Sequence, residues 1–254
     1  MTLVAPTSAL VPYLAVEAIG VVVPAHDEEE RIDACLDSLE RAAGHPAVAG
    51  IPVEVVVVLD SCTDGTADRV AVPRLLRVSA LPVRVRNVGQ ARHLGLADLL
   101  SRREAEGSGL WLACTDADST VPTNWFARQL AWRRAGAEAV AGTIAVQDWS
   151  GHPVVARHRF ERHQARLGLG HGHRHVHGAN LAFSADAYRA VGGMPRVSDA
   201  EDHALWTALR SGGHRTVAAG DLTVTTSART EGRARYGFSA FVGSLGREHA
   251  AIQT

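Results

Sequence analysis

The chain has 254 residues, of which 46% are apolar, 21% charged and 5% aromatic, a composition typical of a soluble globular protein rather than a disordered, collagenous or small disulfide-rich chain. Its 26 basic and 27 acidic residues leave a formal charge of -1, so no overall field attracts nucleic acid or an anionic membrane. Every basic residue is arginine, which excludes Schiff-base lysine chemistry and lysine-based phosphate sites.

The N-terminal segment, residues 1–16, is predicted to be a loose arm. The first 25 residues carry no arginine and are interrupted by Glu17 and three prolines, a pattern wrong for a signal peptide or a membrane-spanning helix. The three cysteines are widely spaced and form no CxxC motif, so neither a disulfide framework nor a zinc-thiolate site is expected. These features predict a cytoplasmic protein without an integral membrane segment.

Short, β-branched apolar runs alternate with helical patterns in the first half of the chain. Such runs are typical of strands buried on both faces of a parallel sheet. Strands are predicted at 18–24, 53–59, 83–88 and 109–115, and helices at 27–43 and about 90–105. The alternation predicts an open α/β fold with a mostly parallel central sheet flanked by helices.

The pattern is looser in the second half. Helices are predicted at 122–136, 184–191 and 200–211, and strands at 138–147, 179–183 and 221–227. The polar, His- and Arg-rich stretch at 148–177 is predicted to be a loop, and residues 236–254 a C-terminal tail. No repeat or linker interrupts the sequence, which predicts one domain over residues 1–254.

Three polar clusters directly follow predicted strands, at residues 24–29, 60–66 and 116–118. In an open α/β sheet, ligands bind beyond the carboxyl ends of the strands. Carboxylates converging there repel one another unless a cation intervenes, which favours a divalent metal with a phosphorylated ligand. Each cluster taken alone is also explained by a helix cap, an acidic first turn or a plain turn.

Taken in order, these motifs resemble those of the family 2 glycosyltransferases, inverting enzymes of hexosyltransferase type with the GT-A fold. The resemblance spans about 200 residues, through VVVPAHDEEERI (21–32), VVVVLDSCTDGTAD (55–68), GQARHLGL (89–96), LACTDADS (112–119), HGANLAFSADAYRAVGG (177–193) and AEDHALWTALRSGG (200–213). Relatives often carry two aspartates at the end of strand two, whereas Leu59 precedes Asp60 here.

The resemblance implies a nucleotide-sugar site in residues of about 18–120 and an acceptor and catalytic half at about 121–235. Asp60 would accept a hydrogen bond from uracil or guanine, and Asp118, in a DXD motif, would ligate Mg²⁺ or Mn²⁺. The other implied nucleotide-sugar contacts are Pro24, Ala25 and Glu28 in the cleft, Arg92 near the diphosphate, and Asp116 with Ala117 at the ribose or donor sugar.

The Glu201-Asp202 pair is the implied catalytic pair. Asp202 would be the general base for an acceptor hydroxyl, and Glu201 would position the acceptor. Inversion needs one in-line displacement and no covalent nucleophile, which agrees with the lack of a recognisable nucleophile signature. The alternative for the pair is the exposed first turn of a helix.

Histidines alternate at His171, His173, His175 and His177. An extended segment would place them on one face, as in a transition-metal site, whereas the favoured alternative is a polar loop over the acceptor pocket. In that alternative, His175, His177 and Asn180 are candidates for the acceptor side.

The segment after the last predicted strand, Thr-Thr-Ser-Ala-Arg at 225–229, departs from the family. Many relatives carry a metal-binding histidine there, so the third protein ligand stays open. Arg229, with Arg233 and Arg235, either grips the diphosphate or forms a solvated basic surface.

The sequence therefore predicts a glycosyltransferase using a nucleoside-diphosphate sugar, a UDP-sugar before a GDP-sugar, with an unidentified acceptor and no nucleic acid partner. It leaves the oligomeric state open, a homodimer included. A catalytically silent nucleotide-sugar or metal-binding module on the same fold is the alternative.

Overall fold

A computed structural model of the protein describes residues 15–102, 109–146, 148–168, 170–195, 197, 200–229 and 238–247. Most of the predicted N-terminal arm, together with Arg233 and Arg235, lies outside the described residues.

Eight strands in the described part of the chain form one sheet in the order β3-β2-β1-β4-β7-β6-β8-β5. They are β1 (Ala18–Ala25), β2 (Val53–Asp60), β3 (Arg77–Val83), β4 (Leu110–Cys114), β5 (Ser119–Thr120), β6 (Ala139–Val146), β7 (Leu181–Ser184) and β8 (Thr216–Thr226). The helices are α1 (Ile32–Ala43), α2 (Thr66–Val70), α3 (Val88–Arg102), α4 (Trp125–Arg134), α5 (Val154–Leu167), α6 (Ala185–Ala190), α7 (Glu201–Ser211) and α8 (Phe238–Arg247).

The first half of the sheet is parallel. Strand β1 lies between β2 and β4, and β2 pairs with β3, all in the same direction. The register places Ala25 beside Leu59, so β1 and β2 end at the same level. The polar residues that follow the two strands therefore meet at one edge of the sheet.

The core lies on both faces of this parallel half. Along β1, Val21 and Val23 belong to the apolar cluster under α1, whereas Val22 points to the cluster under α3. On α3, a Cβ at Gly95 would lie 2.6 Å from Val22 Cγ1 and 2.7 Å from Val58 Cγ2. Only glycine allows the helix to approach the sheet this closely.

The second half is mixed: β7 is antiparallel to β4 and to β6, while β6 and β8 run parallel. The ladder between β6 and β8 shifts register between Gly142 and Thr143. The prediction of an α/β fold with a mostly parallel central sheet and flanking helices is confirmed.

Two predicted boundaries in the first half are wrong. Helix α1 begins at Ile32 and not at 27, because Asp27 has a left-handed φ of 50° that no helix accommodates. The third strand covers Arg77–Val83 and not 83–88. The backbone N–H groups of residues 85–87 donate to the Asp60 carboxylate instead of to a neighbouring strand.

The loop predicted at 148–177 is wrong over its middle, where α5 forms. Its buried side chains are Ala156, Phe160 and Gln164, a stripe with a spacing of four residues that faces Phe241 and Leu245 of α8. This narrow apolar stripe is easily missed in a segment dominated by His and Arg. Within the predicted C-terminal tail, Phe238–Arg247 form α8.

No helix among the described residues is both long and apolar enough to cross a membrane.

Candidate active site

The predicted site residues gather at the carboxyl ends of β1, β2 and β4. Glu28 follows β1, Asp60 is the last residue of β2, and Asp116 and Asp118 follow β4. Glu28 and Asp60 are buried, at 4% exposure each, and Asp118 has a side chain that is 10% exposed. The charges of Glu28, Asp116 and Asp118 act on one another in this poorly solvated region and require compensation.

Arg92, in the first turns of α3, links the two predicted halves of the site. Its guanidinium pairs through one Nη atom with Asp116 Oδ1 and through the other with Glu201 Oε1. Burial lowers the pKa of Arg92, but these two carboxylates outweigh burial and raise the pKa above its usual value. Glu201 is itself 5% exposed. It therefore faces Arg92, and its carboxylate positions that guanidinium.

Glycine at position 178 makes room for Arg92. A Cβ there would lie 2.4 Å from both Cζ and Nη1 of Arg92. The same residue donates its backbone N–H to Asp202 Oδ2 over 2.8 Å. Sequence reasoning does not single out Gly178, and its only local signal is the glycine of the HGAN motif at 177–180.

Asp202 lies in the first turn of α7, and Ala200 before it has a left-handed φ of 58°. Asp202 Oδ1 accepts the N–H of His203 at 2.7 Å, while Asp202 Oδ2 accepts the N–H of Gly178. Each carboxylate oxygen can accept a second hydrogen bond, and the residue is partly exposed. This arrangement holds the carboxylate in place and leaves it able to accept a proton.

Arg229, after β8, bridges the carboxylates of Glu28 and Asp118. Its Nη2 lies 2.6 Å from Glu28 Oε1 and its Nε lies 3.0 Å from Asp118 Oδ2. Burial raises the pKa of Glu28 and of Asp118, although Arg229 opposes the rise at both. Arg229 thus supplies positive charge where the sequence predicts a metal ion.

The Asp60 carboxylate is engaged by the loop after β3. Oδ1 accepts the N–H groups of Val85 and Arg86 at 2.9 Å and the hydroxyl of Ser61 at 3.1 Å, and Oδ2 accepts the N–H of Asn87 at 3.1 Å. A hydrogen bond from a nucleotide base to Asp60 would use the second lone pair of Oδ2. Pro24 and Ala25 end β1 beside it, while Ala117, 2% exposed, lies between the two aspartates after β4.

The histidines of the alternating segment do not converge on a metal position. His175 Nδ1 lies 3.3 Å from His177 Nε2, and His175 Nε2 donates to the carbonyl of Gly168 at 3.0 Å. Burial lowers the pKa of His177 to about 3, helped by His175 and His203. Among the described residues, the only group of three or more potential ligands close enough for one ion is His26, Asp27 and Cys62.

The side-chain amide of Asn180 is used in hydrogen bonds within the protein. Its Nδ2 donates to the carbonyls of Thr143 at 2.8 Å and Leu222 at 2.9 Å, and its Oδ1 accepts the indole N–H of Trp125 at 2.9 Å. The residue is 0% exposed. A contact with an acceptor would require one of these buried hydrogen bonds to break.

The residues around Asp118 fit a divalent cation of the Mg²⁺ type. The donors are carboxylate oxygens, which Mg²⁺ and Mn²⁺ prefer. Glu28 Oε2 is buried and, among the described residues, accepts no hydrogen bond. Mg²⁺ is usually held by one or two carboxylates together with substrate phosphates, so a three-residue protein cage is not required.

In comparison with protein families, the model of glycosyl transferase family 2 matches residues 20–192. These residues include Glu28, Asp60, Arg92 and the two aspartates after β4. Glu201, Asp202 and Arg229 lie beyond them, so their roles depend on geometry. No curated protein matches the chain.

Solved structures share the fold. TarS 1-349 of S. aureus, in complex with UDP-GlcNAc, superposes with a TM-score of 0.65 at 16% identity, covering 90% of this chain and 65% of that chain. The mannosyltransferase PcManGT from Pyrobaculum calidifontis, in complex with GDP-Man and Mn²⁺, superposes with a TM-score of 0.60 at 20% identity, covering 93% and 64%. The chain thus spans somewhat less than two thirds of the length of these proteins. Its α/β fold matches the GT-A fold of these structures.

Proposed function

The chain belongs to glycosyl transferase family 2, and we propose that it transfers a sugar from a nucleoside-diphosphate sugar to an acceptor hydroxyl with inversion at the anomeric carbon. One observation carries the proposal: Arg92 pairs with both Asp116 and Glu201, so the proposed donor residues and the catalytic pair form a single connected site. A UDP-sugar is the favoured donor, and a GDP-sugar is the alternative.

On the donor side, Pro24, Ala25 and Asp60 border the nucleotide base, and Asp116 with Ala117 contacts the ribose or sugar. Asp118 would hold Mg²⁺ or Mn²⁺, and such an ion would supply positive charge to the nucleoside-diphosphate leaving group. Arg229 then exchanges its carboxylate partners for diphosphate oxygens, which guanidinium groups bind in the same planar geometry.

On the acceptor side, Asp202 takes the proton from the attacking hydroxyl. Two backbone N–H groups orient its carboxylate, and the unused lone pairs accept the hydroxyl. Glu201 acts through Arg92 and so positions Asp116 with respect to the base. Burial keeps His177 neutral, and the ring lies close enough to Asp116 to interact with its charge. His177 lines the side of the site that takes the acceptor.

Calorimetry tests the donor site. We expect one of UDP and GDP to bind the purified chain in the presence of Mn²⁺, with binding lost in Asp118→Asn, because the amide removes the anionic ligand while preserving shape. Asp186→Asn is the matched control, since Asp186 also lies early in a helix but follows Ser184, which pairs with Trp111 near the start of β4, at the end opposite to the site. Absence of binding of both nucleotides at millimolar concentration with Mn²⁺ would reject the donor proposal and favour the catalytically silent module.

A further inference from the structure

A second cluster of metal-ligating groups lies on the loops that follow β1 and β2, apart from the Asp118 region. It consists of His26, Asp27 and Cys62, each offering one ligand atom, and these atoms all lie within 4.8 Å of one another. None of the three has a part in the glycosyl transfer proposed above.

The orientation of His26 is set by its other ring nitrogen. Nδ1 is hydrogen bonded to the backbone carbonyl of Asp60. A carbonyl only accepts, so Nδ1 must carry the proton, and the neutral ring then has a bare lone pair at Nε2. A ring that donates its second N–H to a backbone carbonyl is the usual arrangement of a metal-ligating histidine.

That lone pair faces a carboxylate. His26 Nε2 lies 3.0 Å from Asp27 Oδ2, while Asp27 Oδ1 accepts the backbone N–H of Thr63 at 2.7 Å. Two acceptors at this distance repel each other unless a positive charge lies between them. That charge is either a proton on Nε2 or a metal ion.

The third group distinguishes the two. Cys62 Sγ lies within 4.8 Å of the His26 and Asp27 ligand atoms, and its S–H group donates to the carbonyl of Ala25 over 3.5 Å. A proton shared by His26 and Asp27 needs no thiol beside it, whereas a transition metal gains a soft ligand. Nitrogen, sulfur and oxygen donors together match Zn²⁺, while Mg²⁺ and Ca²⁺ take oxygen donors.

We propose that His26 Nε2, Asp27 Oδ2 and Cys62 Sγ bind a Zn²⁺-type ion, with the fourth tetrahedral position open to water or a ligand. Zinc ligands of these types lie ~2.0–2.3 Å from the ion, so the three atoms, now within 4.8 Å of one another, would draw closer together on binding. Burial raises the pKa of the Cys62 thiol in the metal-free protein. Binding therefore releases a proton and is stronger at higher pH.

The ion would tie the loop after β1 to the loop after β2, directly beside Asp60. This site does not depend on glycosyl transfer: it stands if neither nucleotide binds, and it fails without affecting the Asp118 experiment.

Titration with Co²⁺, a spectroscopic substitute for zinc, tests the proposal. We expect a thiolate-to-cobalt charge-transfer band in the near ultraviolet, displaced by Zn²⁺. Cys35 and Cys114 are 0% exposed, so the band reports Cys62. A Co²⁺ ion on the oxygen ligands of Asp118 gives no such band.

Variants complete the test. Cys62→Ser should abolish the band, and His26→Gln should weaken Co²⁺ binding at least ~100-fold, more than the ~10–100-fold that loss of a supporting contact costs. His158→Gln, whose side chain is 65% exposed, is the matched control and should bind as the parent does. A folded parent protein without the band at millimolar Co²⁺, or a band that persists in His26→Gln at full affinity, would overturn the proposal in favour of a protonated His26-Asp27 ion pair.

Discussion

At the scale of single residues, the site depends on two backbone N–H groups that hold Asp202. One comes from its own helix and the other from Gly178, at the far end of the alternating histidine segment. Glycine is required at 178 because Arg92 occupies the space of a side chain. One residue thus determines the position of both the proposed base and the arginine that connects it to the donor residues.

Asp202→Asn is the corresponding test of catalysis. The amide oxygen keeps the hydrogen bond from Gly178 but cannot take a proton, so kcat should fall ~10²–10⁴-fold while nucleotide affinity stays near that of the parent. With a sugar donor of the nucleotide selected by calorimetry, and with water as the sugar acceptor, nucleotide release gives kcat. The control is Asp186→Asn, expected to retain full kcat. An unchanged kcat in Asp202→Asn would remove Asp202 from the mechanism.

At the scale of elements, the segment at 171–177 changes from a predicted polar loop to a partly buried wall. His173 and His175 are 7% and 1% exposed, and burial lowers the pKa of both, as it does for His177. The alternation in the sequence is real, but tertiary packing directs the rings into the protein and toward carbonyl groups instead of toward one ion. The lowered pKa values of these histidines have a measurable consequence for acid stability.

The stability of the protein should fall as the pH drops below 6.5. The pKa of His177 is about 3 in the folded protein against 6.5 when unfolded. The contribution of His177 to the free energy of unfolding is therefore fully present above pH 6.5. As the pH falls below 6.5, the unfolded chain takes up a proton that the folded protein does not, and the free energy of unfolding falls by up to ~1.4 kcal/mol per pH unit. Urea unfolding at pH 7.5 and 5.5 measures the drop in the free energy of unfolding between the two pH values. This drop should be about 1 kcal/mol smaller in His177→Gln than in the parent. His158→Gln should match the parent, and equal losses in all three proteins would contradict the assignment.

At the scale of the whole molecule, charged residues that follow strands in both halves of the sheet compensate one another. Glu28 and Asp118 come from the first half, and Arg229 reaches them from the end of β8. Because both carboxylates are poorly solvated, the cation that compensates them contributes to the stability of the entire domain. Either Arg229 or a bound divalent ion can fill that role.

Arg229→Gln separates these two contributions. Removal of one partner of a buried pair costs ~3–5 kcal/mol, and because the Arg229 side chain is 32% exposed we expect about 1–3 kcal/mol in urea unfolding. Mn²⁺ should restore stability in the variant more than it stabilises the parent. Arg128→Gln, which removes an exposed pair with Asp221, should cost less than about 1 kcal/mol and show no response to Mn²⁺. A variant as stable as the parent, with no response to Mn²⁺, would contradict this charge balance.

The sequence by itself determined the α/β class, the parallel strands β1, β2 and β4, and the family, because buried parallel strands are continuous apolar runs and the motifs follow them at fixed places. It also predicted which carboxylates gather at the strand ends. These features depend on local patterns, which a single chain displays.

Only the tertiary structure decided how those residues are partnered. Arg92 pairs with Glu201, 109 residues away in the sequence, and with Asp116, 24 residues away, and Asp60 accepts the N–H groups of a segment whose sequence alternates like that of a strand. The proximity of His26 and Cys62 is nonlocal as well. Contacts of this kind depend on strand register and loop packing, which no local pattern encodes, so the partners of each charged group emerge only once the sheet is assembled.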